Sequence, residues 1–233
     1  MKPLAMLAVC LAAQIAFQVS RPGAAAEAQP VPRPPGMVAL RLASLGESEA
    51  VSRLMMLYLQ SFDMQPGLVI PYRNLDYGRV AGWLEASLEL DPRDSYPLFA
   101  ATGLYCAVND PQRLKVMLDF VHRAFVADPR SRWRWLAQAV IIAKYQRHDL
   151  PLALEYAVEL SRQVPDGPPW IAEMQAFTLA QMGRVESAKI LLGALVSSGR
   201  IRDPNELRFM SILLKKMEND AMEKMAGKKE GMY

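Results

Sequence analysis

With 233 residues the chain suffices for one domain with appendages, and a hydrophobic content of 52% is ample for a buried core. The formal net charge is +3, and it falls to +1 without residues 1–26, which carry Lys2 and Arg21 but no acidic residue. A balance this close to neutral excludes the strong positive field that nucleic-acid-binding proteins need.

The first 26 residues are predicted to form a targeting segment. Lys2 is a short positive region, residues 4–19 are uncharged and mostly apolar, and Ala24-Ala25-Ala26 offers a small-residue cleavage site. The apolar run of about 16 residues is near the short edge for a bilayer span, so a cleaved signal peptide and a membrane anchor through residues 4–20 both stay open. Lys2 favours an N-terminus held inside, which predicts a cell-envelope protein whose body is periplasmic, either soluble after cleavage or anchored to the inner membrane.

The next residues change composition before the helical body begins. Residues 27–38, rich in proline and alanine, are predicted to be an extended linker that would hold the body away from a membrane. A helical domain is predicted over residues 39–224, followed by a disordered tail at 225–233. Its first part, residues 37–62, shows apolar side chains at helical spacing with a break at Gly46.

A less regular segment follows at residues 63–76. It contains the turn signal Pro66-Gly67 and a short extended run before the next helix. Asp63, Arg73 and Asp76 are polar side chains that would form an enzyme site, acting on a cell-wall or small-molecule substrate, if they converged here. The other interpretation is that these side chains cap helices and pair with each other.

A chain ending that recurs along the sequence indicates how the helical body is organised. Leu90-Asp91-Pro92, Ala127-Asp128-Pro129 and Gln163-Val164-Pro165 each close an apolar segment, with steps of 37 and 36 residues. Periods of this size are typical of stacked helix pairs. The helices predicted here span residues 77–90, 96–108, 111–127, 133–146, 150–162, 170–182 and 185–197.

Each second helix has a face of small and medium side chains at i, i+4 and i+7 spacing. These faces indicate close packing of a second helix, and they comprise Met117, Val121 and Ala124; Ala153, Ala157 and Leu160; and Ala188, Leu192 and Leu195. A final helix opens at Asp203-Pro204-Asn205-Glu206, whose acidic residues resemble a capping box. Its single apolar stripe is typical of the terminal helix of a solenoid.

The repeats resemble the tetratricopeptide repeat, a helix–turn–helix unit of about 34 residues. The matching small residues, turn glycine and closing prolines are Ala124, Pro129, Ala153, Pro165, Ala176, Gly183 and Ala188. The units run two or three residues long, and none has the full tryptophan–leucine–glycine–tyrosine signature. Residues 40–210 also resemble an uncharacterised proteobacterial group of such proteins, through segments such as Leu59–Asp63 and Asn74–Tyr77, and this implies no activity. The expected fold is an all-α, right-handed solenoid of about four degenerate helix pairs with flanking N- and C-terminal helices.

The usual catalytic and metal-binding patterns are missing from the sequence. His122 and His148 have no second histidine or cysteine at ligand spacing, so both are predicted to be structural or solvated. Cys106 is expected to be a small core residue. No cofactor, metal site or catalytic residue is predicted, and the protein is expected not to be an enzyme.

The most unusual surface candidate is the alternation of basic residues and tryptophans from Arg130 to Trp135. Trp133 and Trp135 are about 200° apart on a helix, so they cannot both face the core directly. Either one of them is partly exposed, or one packs in its own repeat and the other against a neighbour. Tryptophan and arginine are enriched at binding hot spots, and the first helix of each pair lines the concave face of a solenoid. The contact candidates on those helices are Tyr105, Trp133, Arg134, Lys144 and Tyr145. The predicted function is a non-enzymatic adaptor or scaffold that binds a protein or peptide partner; a purely structural subunit of an envelope complex is a further alternative.

Overall fold

The computed structural model describes residues 2–20, 28–199, 201, 203–205, 207–213, 215, 216 and 219. The described chain is almost entirely helical, and its strands are a single pair of two residues each, which confirms the prediction of an all-α protein. The α-helices are α1 Lys2–Ser20, α2 Met37–Ala43, α3 Ser48–Gln60, α4 Tyr77–Leu90, α5 Tyr96–Phe99, α6 Pro111–Ala127, α7 Pro129–Tyr145, α8 Leu150–Gln163, α9 Trp170–Gln181 and α10 Val185–Ser197. Residues 204, 205 and 207–213 are also helical, inside the predicted final helix. The predicted cleavage site, Glu206 and the predicted tail lie outside the described residues.

The N-terminal helix α1 carries exposed apolar side chains, among them Leu7 and Phe17. No helix in the described part of the chain is long and apolar enough to cross a membrane.

The proline-rich segment differs from the predicted free linker. Its extended backbone lies against the body from residue 28 onwards, and Val31 is only 1% exposed. Arg79 and Trp83 of α4 donate hydrogen bonds to the carbonyls of Val31 and Pro32. The prediction that this stretch spaces the body away from a membrane is therefore wrong for residues 28–34, because side chains of α4 bind its backbone.

Residues 63–76 form a small hairpin and a turn between α3 and α4. Strand β1, Met64–Gln65, pairs antiparallel with β2, Leu68–Val69, and a 3₁₀ turn follows at Tyr72–Asn74. Gly67 has φ +78°, a conformation that glycine takes without steric cost. The predicted turn at Pro66-Gly67 is thus confirmed.

From α6 onwards each helix packs on the next one along the chain. The main core runs from Val31 to Ile171, and a second cluster continues from Ala176 to Met210. The three predicted small-residue faces are buried throughout, which confirms that these are the sides on which neighbouring helices meet.

The segment predicted as a helix over residues 96–108 is helical but irregular. Four α-helical residues of α5 are followed by a π-helical stretch, Ala100–Leu104, and a 3₁₀ turn, Tyr105–Ala107. Cys106 is buried, and burial raises the pKa of its thiol to about 12, as expected for a packing residue rather than a nucleophile.

Asp128 joins two helices without an intervening loop. It ends α6 and also caps α7, where its carboxylate accepts a hydrogen bond from the backbone N–H of Ser131 and Pro129 occupies the first turn. The prediction that α7 begins at Trp133 is therefore wrong by four residues, since the Asp-Pro pair that closes one helix also starts the next. Asp110 caps α6 before Pro111 as predicted.

Replacing Asp128 by alanine is expected to lower the free energy of unfolding by about 1 kcal/mol at pH 7. The hydroxyl and backbone N–H of Ser131 hold the pKa of Asp128 below its ordinary value. A lowered native pKa means that the stabilisation is present above the unfolded pKa, near 3.9, and is lost as the pH falls through the native pKa. Urea titrations of both proteins from pH 7 to pH 2.5 should show the difference shrinking below about pH 4; a constant difference would contradict the capping role.

Candidate functional site

A cleft of about 600 Å³ lies where the start of α7 meets the end of α8 and the loop before α9. Its walls are Arg130 and Trp133 of α7, Arg162 of α8 and residues 163–168. We call it the tryptophan cleft. It lies at the third of the three recurring chain endings, Gln163-Val164-Pro165.

Two tryptophans from different helices meet beside the cleft. The rings of Trp133 and Trp170 have centroids 5.6 Å apart and are tilted by 47°, and Trp170 is 39% exposed. The guanidinium of Arg134 lies 5.1 Å from the centroid of the Trp133 ring, within cation–π range. Trp135, like Trp133, is half-buried and packs against the main core. The alternation therefore does not separate one inward-facing ring from one on a neighbouring helix, since Trp133 contacts both the core and Trp170 of α9.

The three arginines of the Arg130–Trp135 run have different surroundings. Arg130 lines the cleft, and Arg134 is exposed beside the Trp133 ring. Arg132 is buried, and its guanidinium donates to the carbonyls of Ala124, at 3.0 Å, and Pro92, at 3.2 Å. Arg132 thus fastens the ends of α4 and α6 to the start of α7 and is unavailable to a partner.

The loop wall of the cleft is tightly packed. A Cβ atom on Gly167 would lie 2.7 Å from Cδ1 of Ile171 and 2.9 Å from Cγ1 of Val164, closer than real Cβ contacts. Pro165 and Pro168 further restrict the backbone on either side. The wall is therefore preformed, which reduces the entropy lost when a ligand binds.

Charges around the cleft are mixed with an excess of positive groups. Arg162 is largely exposed, and its guanidinium lies 3.8 Å from the carboxylate of Glu159. Asp166 is the acidic residue of the loop wall. Because surface arginines keep their charge and present several N–H groups in a plane, Arg130, Arg134 and Arg162 can pair with carboxylates of a bound molecule.

Lys144 and Tyr145 lie at the other end of α7. The ammonium of Lys144 is 5.1 Å from the centroid of the Tyr145 ring, and Tyr145 is 58% exposed. Twelve residues of helix separate them from Trp133, about 18 Å along the axis. The structure thus does not bring these two candidates together with the tryptophan cleft.

Tyr105 is a core residue, and its prediction as a contact residue is wrong. Its side chain is only 2% exposed, and its ring makes edge-to-face contacts with Tyr72 and Tyr77. Tyr77 also donates its hydroxyl hydrogen to the carbonyl of Tyr105 at 2.8 Å. Tyr105 was selected because it lies in a predicted first helix, but that segment is π-helical and then 3₁₀, and it places the Tyr105 side chain in the core.

The three loop candidates have separate roles in the structure. Asp76 caps α4 by accepting from the backbone N–H of Arg79, and it also pairs with the Arg79 guanidinium at 3.2 Å. Burial, and after it the neighbouring Asp63 carboxylate, raises the pKa of the Tyr72 phenol above its ordinary value. Arg73 is exposed on the 3₁₀ turn. Asp76 thus has the capping role of the alternative interpretation, and Asp63 lies beside Tyr72.

The histidines also have structural surroundings. His122 stacks on the ring of Tyr156, with centroids 5.0 Å apart, and pairs with Glu159 across α6 and α8. His148 is exposed, with φ +56° in the turn before α8. Within the described residues no cluster of three or more histidine, cysteine, aspartate or glutamate side chains could hold a metal ion.

Arg162 and Gly167 line the cleft and Trp170 lies beside it, although sequence reasoning did not select them. Their signal is in the chain ending itself, since residues 162–170 span the end of α8, the loop and the start of α9 and include three prolines, a glycine and a tryptophan. Comparisons with protein-family models, curated proteins and solved structures find no match to this chain. Its function is therefore inferred from the geometry of the cleft.

Proposed function

We propose that this chain is a non-enzymatic adaptor or scaffold of the bacterial cell envelope that binds a segment of a partner protein at the tryptophan cleft. The observation that carries the proposal is the accessible Trp133–Trp170 pair among Arg130, Arg134 and Arg162. Such a site offers apolar surface area, planar guanidinium groups and a preformed wall, which are the properties of a binding hot spot. The envelope location rests on the targeting segment predicted at residues 1–26.

We further infer that the helix pairs stack as a right-handed, tetratricopeptide-like solenoid. Two contacts between first helices support this arrangement: the π-helical stretch 100–104 touches α7, and α7 touches α9. In such a stack the first helices line the concave face, where a peptide or a partner helix binds. Trp133 and Trp170 lie on two adjacent first helices and would both face that surface.

The chemistry of the cleft favours a partner segment that combines carboxylates with an aromatic or aliphatic side chain. Carboxylates would pair with Arg130, Arg134 or Arg162, and the apolar side chain would pack on the exposed face of the tryptophan pair. Exposed ion pairs contribute little by themselves, so the tryptophans should supply most of the affinity and the arginines the selectivity.

A structural subunit is a second candidate with an observation of its own. Val38, Leu42 and Leu45 of the α2 region and Leu54 and Leu57 of α3 are all more than 60% exposed. Exposed apolar side chains in this number on two adjacent helices are typical of a surface that another protein covers. The enzyme alternative at residues 63–76 has less support, since Asp76 caps α4 and pairs with Arg79.

The proposal can be tested by display of envelope-protein segments against the purified full chain, followed by affinity measurements with the selected peptides. We expect the selected peptides to be acidic and to bind Trp133→Ala at least tenfold more weakly, about 1.4 kcal/mol. Arg134→Ala should weaken binding less, and added salt should reduce this difference. Tyr145→Ala is the matched control. It removes an exposed aromatic ring on the same helix, and Lys144 lies over that ring as Arg134 lies over Trp133.

Two results would contradict the proposal. One is that no peptide loses affinity on Trp133→Ala while both variants remain folded. The other is that Tyr145→Ala and Trp133→Ala weaken the same peptides equally, which would place the binding surface elsewhere on α7.

A further inference from the structure

The proline arm, residues 29–34 with the sequence Gln-Pro-Val-Pro-Arg-Pro, occupies a groove on α4 far along the chain from the tryptophan cleft. The described arm has neither helix nor strand and runs into α2 through Pro35 and Gly36. The groove is defined by Gln65, Arg79, Gly82 and Trp83. It binds the arm mainly through backbone atoms.

Two side chains of α4 donate hydrogen bonds to consecutive arm carbonyls. Arg79 Nη1 donates to the carbonyl of Val31 at 2.6 Å, and Trp83 Nε1 donates to the carbonyl of Pro32 at 2.9 Å. Proline has no backbone N–H, so a proline-rich segment can be bound through its backbone only by donors directed at its carbonyls. The groove supplies such donors.

The groove also recognises shape at two positions. Val31, between two prolines, is buried to 1% exposure. A Cβ atom on Gly82 would lie 3.2 Å from Cγ of Pro34, so the missing side chain lets the arm lie close to the helix. Glycine is unfavourable inside a helix, and here its position has a packing reason.

A reciprocal pair of hydrogen bonds fixes the start of the arm. The backbone N–H of Gln29 donates to Oε1 of Gln65, and Nε2 of Gln65 donates to the carbonyl of Gln29, both at 2.8 Å. The Gln65 amide thus binds the arm as a neighbouring β-strand would. The aromatic residue of the groove is Trp83, whose ring is also in contact with that of Tyr58, with centroids 5.2 Å apart.

We propose that this groove is a recognition site for extended Pro-x-Pro segments, and that a partner protein's segment with an aliphatic residue between two prolines can take the place of the arm. Aromatic side walls and donors to the carbonyls of a polyproline II segment are the features of domains that bind proline-rich peptides. The arm is then a tethered ligand that keeps the groove closed. This site is independent of the tryptophan cleft and of the function proposed for it.

The arm is bound by few enough contacts to leave the groove without unfolding the body. Val31 is its fully buried side chain; Pro32 and Pro34 are half-buried, and Gln29, Pro30 and Arg33 are exposed. A cavity of about 390 Å³ remains between the start of the arm, residues 28–31, and the hairpin at residues 68–71. Segments with few buried contacts open locally at a small fraction of the global unfolding free energy.

The test uses the full chain and a synthetic peptide with the sequence of residues 28–36. Val31→Asp should release the tethered arm, because a carboxylate cannot remain in the apolar pocket. We expect the peptide to bind Val31→Asp at least tenfold more tightly than wild type, where the tethered arm competes at a high effective concentration. A peptide with aspartate in place of its valine is the matched control and should not bind.

A second pair of variants tests the groove itself. Adding Trp83→Phe or Arg79→Met to Val31→Asp removes one carbonyl donor, and each should weaken peptide binding at least tenfold. Far-UV circular dichroism and thermal unfolding establish that these variants remain folded. The indole N–H resonance of Trp83 reports the arm directly and should exchange with solvent faster in Val31→Asp than in wild type.

Three outcomes would overturn the proposal. The Trp83 indole could stay protected in Val31→Asp, which would make the arm a permanent part of the fold. The released groove could fail to bind the peptide. Sedimentation could show wild type forming dimers that Val31→Asp abolishes, which would identify the guest as the arm of a second copy rather than a partner's segment.

Discussion

Replacing Arg132 by alanine is expected to lower the free energy of unfolding by about 2 to 4 kcal/mol, whereas Arg134→Ala should change it by less than about 0.5 kcal/mol. The Arg132 guanidinium is buried and donates to the carbonyls of Ala124 and Pro92. Its removal leaves a cavity and takes a charge-assisted donor from each of two carbonyls at helix ends. Arg134 loses only a surface contact with the ring of Trp133.

Urea unfolding of the two variants, followed by circular dichroism, measures the difference directly. Arg132→Lys is a useful third protein, because a lysine keeps the charge but cannot reach two carbonyls with a planar fork. We expect it to fall between wild type and Arg132→Ala. Equal effects of Arg132→Ala and Arg134→Ala would mean that the buried hydrogen bonds contribute nothing to stability.

Arg132 and Arg134 also show what could not be predicted from the sequence. In the run from Arg130 to Trp135, helical phase predicts only that the two tryptophans cannot both face the core directly, and both are half-buried. It cannot tell that Arg132 is buried, because that depends on carbonyls 8 and 40 residues away. The stabilising contact is tertiary, and a charged residue inside a basic run is ordinarily solvated.

Other parts of the fold follow the same division between local and distant causes. The helices and buried faces of the repeats were predictable because they depend on the spacing of residues that are close in sequence. The helix cap at Asp110 and the turn at Gly67 were predictable for the same reason. The docking of the proline arm was not, since it depends on donors from α4 that lie 48 and 51 residues away. Tyr105 was misplaced because membership of a first helix does not determine which face a side chain takes, and the segment is π-helical and then 3₁₀.

The candidate site was predictable in part. Trp133 and Arg134 were selected from residue type and position, and both lie at the tryptophan cleft. The opposing wall and Trp170 come from the chain ending after α8. The sequence predicted that a helix pair ends there, but it did not predict that this ending forms part of a binding surface. The boundary between two helix pairs brings distant residues together on a rigid scaffold, so a binding site can form there.

Replacing Ala157 by leucine is the strongest test of how the helix pairs are assembled, with an expected loss of about 2 to 3 kcal/mol in the free energy of unfolding. Ala157 lies on α8, which packs against both α7 and α9, and it is fully buried together with Ala153 and Leu160. Three extra heavy atoms at this position must push one helix away or force strained rotamers. Ala194→Leu on the exposed face of α10 is the matched control and should change stability by less than about 0.5 kcal/mol.

The same substitution connects packing to the proposed binding site. Helix α7 carries Trp133 and α9 carries Trp170, and α8 contacts both helices. Since the tryptophan pair depends on the spacing of α7 and α9, Ala157→Leu should also weaken peptide binding at the cleft in protein that remains folded, whereas Ala194→Leu should not. A stable Ala157→Leu protein with unchanged binding would mean that α8 does not set this spacing.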